Sequence, residues 1–136
     1  MKPEISRLAV AARIVLGLIF TVFGLNGLLH FMPLPAPPPA AGAFLGALAA
    51  SGYLFPLLAG IEVAAGLLLL AGRFVTLALV LLAPILVNIA AFHLFLAPGN
   101  YAVVGLGLAA EIYLAWAHRG AFRSVLVRRA EAAASG

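Results

Sequence analysis

From Phe74 to Leu96 the chain carries no charged residue, and this span limits the available folds more than any other feature. As a helix rising about 1.5 Å per residue it reaches about 34 Å, enough to cross a hydrocarbon core of about 30 Å with some tilt. Inside it stand Pro84, Asn88 and His93. A polar group without a partner in lipid costs several kcal/mol, so each of these is expected to face protein or trapped water. Function is therefore expected beside this helix.

Other runs share its character. Met1 to Arg13 is short and basic, and Ile14 to Leu29 is apolar, an order that also suits a cleaved leader. The apolar run exceeds an ordinary leader core, so a retained first helix over about 8–30 is expected, with Arg13 reaching toward the headgroups. Further apolar helices are expected over about 53–70, 74–96 and 101–117. With 65% hydrophobic and 9% charged residues, the composition lies outside the globular range. The fold class expected is all-α: an integral membrane four-helix bundle, one domain over 1–136, with a tail from 118 to 136. The tail, carrying Arg119, Arg123, Arg128 and Arg129, sets topology or docks lipid or a partner.

Pro33, Pro35, Pro37, Pro38 and Pro39 fix backbone angles and remove donors, so a stiff extended turn follows the first helix. Helical composition returns over about 40–51, too short to span, which reads as an interfacial or re-entrant helix, either a connector or a lid. The basic residues fall before the first helix, between the second and third, and after the fourth. By the positive-inside rule both termini are cytoplasmic and the proline-rich loop is outside.

At 100° per residue, Gly17, Thr21, Gly24 and Leu28 share one face of the first helix, a close-packing seam, while Asn26 and His30 lie on another. His30 reads equally well as an interfacial histidine. Glu62 falls near mid-membrane on a face with Ala59 and Gly66, and Glu111 repeats the pattern with Gly107 and Ala115. An intramembrane acid is a functional candidate by default, the alternative being a protonated carboxyl that only joins helices. Both are expected to point inward, at least one bonding a histidine, an asparagine or a carbonyl near Pro84. Asn88 and His93 lie about 140° apart, so Asn88 reads as structural glue unless a kink at Pro84 rotates the two together.

Three stretches carry a family resemblance: Gly24-Leu25-Asn26 with His30-Phe31; Gly60-Ile61-Glu62 with Gly66 and Gly72-Arg73; and Pro84-Ile85 with Asn88-Ile89 and Phe92-His93. In these the chain resembles the DoxX family of small four-helix bacterial membrane proteins. The resemblance implies a multi-pass inner-membrane protein, similar to subunits linked with quinone-coupled oxidation of sulfur compounds or with oxidative-stress complexes. It supplies no catalytic residue set.

Three functions compete. In the first, the chain is an accessory redox subunit rather than a complete enzyme. A quinone sits in an outer-half pocket with His93 and Glu62 as the proton relay and His30, Asn26, Asn88 and Glu111 as ligand-binding residues. Phe23, Phe31, Phe92, Phe95 and Tyr53 would supply ring contacts. In the second, His30 and His93 hold a haem, or join the two acids at a metal; the absence of outer Lys or Arg to meet haem propionates ranks this lower. The third is a scaffold that recruits partners or self-associates through glycine seams. A transporter ranks below these. Expected partners are membrane lipids, other redox or stress-response subunits and a second copy, and not nucleic acid, because the basic residues form no stripe interleaved with aromatics. The lack of Cys excludes disulfides, thiolate metal sites and iron–sulfur clusters, so any redox role needs a borrowed cofactor or substrate.

Overall fold

The computed structural model describes residues 3–133. Lys2, part of the basic segment used to orient the chain, and 134–136, the end of the expected tail, lie outside the described residues. Five α-helices follow in order: α1 Pro3–Leu29, α2 Pro39–Ala50, α3 Leu54–Ala71, α4 Val75–Phe95 and α5 Tyr101–Ala117, then a short 3-10 turn, Arg119–Phe122. No strand occurs among the described residues.

Among the described residues three helices are long and apolar enough to cross a membrane, over Ser6–Leu29, Leu54–Ala71 and Val75–Phe95. The other two, α2 and α5, are shorter. Against an expectation of four crossings, α5 reaches only about 26 Å, a little less than a typical hydrocarbon core. Leu67, Val87, Leu94 and Ile112 are each more than half exposed. A bilayer accounts for that apolar surface, and water does not.

The most extensive packing joins α1 to α3; α1 also meets α5, and α4 meets both α3 and α5, which closes a ring of contacts. Its centre is aliphatic, with Leu16, Leu69, Leu79, Leu82 and Leu114 fully buried. The α1–α3 seam forms where small residues let backbones touch. A methyl group built on Gly24 would stand 2.8 Å from Val63 Cγ2 and 3.0 Å from the Ala59 carbonyl oxygen. On Gly66 it would stand 2.7 Å from Thr21 N and 2.9 Å from the Gly17 carbonyl oxygen. Gly17, Thr21 and Gly24 thus lie on the seam as expected, but Leu28 is largely exposed and Gly27, against Ala59, extends the contact instead.

Two junctions fix the helix ends. Arg13, expected at the headgroups, instead donates from Nη1 to the carbonyls of Leu69 (2.5 Å) and Leu70 (3.3 Å). The last carbonyls of α3 carry a partial negative charge, and the guanidinium adds a charged donor to Leu69 O, which also accepts the Gly72 N–H at 3.2 Å. Gly72 closes that end at φ 70° and leaves room for the Arg13 side chain, which a methyl there would meet at 2.6 Å. At the other junction, His30 takes a left-handed φ of 54° and its N–H bonds the Asn26 carbonyl (2.8 Å).

Candidate functional site

Beneath α2 lies one cavity of about 1060 Å³, lined from α1, the proline-rich loop, α2, α3 and α4. The helices deliver its polar groups from far apart in the chain: Asn26 and His30 from the end of α1, Glu62 from the middle of α3, and Asn88 and His93 from α4. Most of the remaining wall is aliphatic or aromatic. Its size is at the upper limit of small-molecule sites, and its make-up, an apolar cleft with a few convergent polar groups, is typical of them.

Each polar group is held differently. Asn26 is buried, and its Oδ1 accepts the Met32 N–H at 2.7 Å, which ties the chain down as it leaves α1. Asn26 thus has a structural task besides lining the cavity, to which its amide N–H groups remain free. His93 places Nδ1 3.2 Å from the Ala97 carbonyl oxygen. A carbonyl can only accept, so Nδ1 carries a proton in this contact, and a ring with that one proton presents a lone pair at Nε2. The side chains of His30, Glu62 and Asn88 make no hydrogen bond among the described residues. Glu62 therefore lines the cavity without the expected bond to a histidine, asparagine or carbonyl.

Asn88 differs from its expected role. Read as glue, it is exposed to the cavity and bonds nothing among the described residues. It reaches the same wall as His93 despite the angle between them, because this cavity is broad and α4 forms a whole side of it, from Val80 past Pro84 to His93.

Glu111 does not belong to the site. No residue of α5 lines the cavity. Glu111 is buried elsewhere in the ring, and its Oε2 has no hydrogen-bond partner among the described residues. The aromatic lining also differs from expectation. Phe23, Phe31, Phe95 and Tyr53 are 44%, 53%, 81% and 64% exposed and take no part; of the expected set only Phe92 lines the cavity, joined by Phe44 and Phe55. Phe44 reaches across from α2 to Phe92, with ring centroids 6.0 Å apart, and Phe92 meets the His93 ring edge-on at 5.3 Å. The expected short helix is thus one wall of the site. Its signal was present in the sequence: a bulky Phe44-Leu45 pair with Leu48 one turn on, in a helix otherwise made of small residues.

Among the described residues no three His, Asp or Glu side chains gather where they could hold a metal ion. Comparison with protein-family models, curated proteins and solved structures finds no match.

Proposed function

We propose that the chain is a DoxX-like subunit of a bacterial inner-membrane redox or oxidative-stress complex, which holds a quinone or similar small neutral molecule in the cavity under α2. One observation carries this reading: polar side chains from three helices converge, mostly unpartnered, on a single large and otherwise apolar space. Unpartnered polar groups in a membrane protein are costly, which favours an occupant that bonds them. In this arrangement α1, α3, α4 and α5 all cross the bilayer with both termini cytoplasmic, and α2 rests on the outer surface. A quinone bound there would supply electron transfer between partner subunits, for which the chain itself has no group. Its own residues would do the rest. Phe44, Phe55 and Phe92 contact the ring, His93 and Glu62 exchange protons with its oxygens, and the aliphatic wall takes the tail.

The test is extraction of the protein purified in mild detergent, with mass spectrometry for quinone, haem and metal. Quinone near one per chain is expected, falling sharply in Ile85→Trp, which fills the cavity; a parent protein empty of quinone overturns the reading. A scaffold reading has its own support in Gly60 of α3 and Gly105 of α5. Both face outward with open space around the position a side chain would take, which suits close approach by another helix. Crosslinking through cysteines at 60 and 105 in membranes decides whether those faces are occupied.

A further inference from the structure

Resting on that functional reading, we propose that the cavity selects the reduced, hydroxyl-bearing form of its ring over the oxidised, carbonyl-bearing form. The selection comes from which atoms of the wall are already engaged. Because the Ala97 carbonyl, 3.2 Å away, holds the proton of His93 on Nδ1, the ring atom left for a ligand is an acceptor. Asn26, whose Oδ1 already accepts the Met32 N–H, offers its amide N–H groups as donors. A hydroxyl group donates and accepts, so hydroxyls on one ring satisfy both residues. A carbonyl oxygen only accepts; it satisfies Asn26 and leaves His93 Nε2 facing a lone pair.

The other polar groups of the cavity do not oppose this. His30 and Asn88 can each donate or accept, and Glu62 accepts when ionised and does both when protonated. The same lining suits a flat ring, since Phe44 stands against Phe92 and Phe92 against the His93 ring. The mismatch between two acceptors forfeits a hydrogen bond that the hydroxyl form makes.

Anaerobic binding of durohydroquinone, duroquinone and the dimethyl ether of durohydroquinone, measured by calorimetry in detergent near pH 8.5, tests the proposal. The three share the same four ring methyls; only durohydroquinone can donate, duroquinone being quinoid and the ether carrying two further methyl groups. Durohydroquinone is expected to bind about tenfold tighter than either of the others, the factor one hydrogen bond gives. His93→Phe should abolish the difference, and His93→Gln, whose amide oxygen still accepts, should keep most of it. Equal or tighter binding of duroquinone, or a preference that survives His93→Phe, overturns the selection and leaves the quinone site standing. If none of the three binds, the site reading itself fails. Should His93→Phe unfold, the hydroquinone against duroquinone, which adds no bulk, still decides in the unaltered protein and in His93→Gln.

Discussion

Asn26 and Glu111 show how much a single polar residue in an apolar helix depends on its immediate surroundings. Asn26 accepts the Met32 N–H through its side chain and the His30 N–H through its backbone, so it both ends α1 and directs the loop that follows. Asn26→Ala removes the first of these bonds and is expected to cost about 1–2 kcal/mol, read as a lower Tm in detergent. Asn26→Asp, which still accepts, should recover most of it. Glu111 is the opposite case, a buried carboxyl with Oε2 unpartnered among the described residues. Replacing it with an apolar chain of similar length, Glu111→Met, removes an unsatisfied group and is expected to raise stability by about 1–3 kcal/mol. A fall in Tm would show that Glu111 has a partner in the membrane.

At the scale of helices, the chain is held by where glycine lets backbones meet. Gly66 of α3 sits against the backbone of α1 at Gly17 and Thr21, and neither side has a flexible end that could move aside. Gly66→Ala is expected to cost at least about 2 kcal/mol in a denaturation titration. Gly60, two turns earlier on α3, has nothing within contact distance, so Gly60→Ala should be neutral or stabilise by up to about 1 kcal/mol. The pair separates a packing effect from a helix-propensity effect within one element. Arg13 is a second device between the same two helices. It joins α1 to the carbonyl end of α3, and Arg13→Met is expected to lower stability by about 1 kcal/mol although it adds apolar surface.

For the whole molecule, the cavity and the bilayer orientation are linked, because α2 and the proline-rich loop form both one wall of the site and one face of the protein. With that face outside, cysteines placed at Ala36 and Asn100 should react with an impermeant reagent in intact cells, and one at Ser124 should not; labelling at Ser124 would invert the orientation. Opening the α2 wall is expected to act on binding before folding. Phe44→Ala loses the contact with Phe92 on an already exposed side chain, so it should weaken ligand retention while moving Tm little.

The helices themselves were legible in the chain to within a few residues, because an uncharged run of membrane length is a local property that needs no neighbour to define it. Glu62, His30 and His93 as candidates were legible for the same reason: a polar residue in such a run is conspicuous wherever it faces. Which of them meet was decided only by the tertiary structure. Glu62 and Glu111 look alike along the sequence, each on a small-residue face near mid-helix, yet α3 borders the cavity and α5 does not. Phe44 and Phe55 line the site while Phe23 and Phe95 face outward, since periodicity gives a direction around one helix axis but not what stands opposite. Arg13 carries the same lesson. Its sequence position places it at a membrane edge, and only the packing of α1 on α3 brings the carbonyls of Leu69 and Leu70 close enough to replace water as its partners.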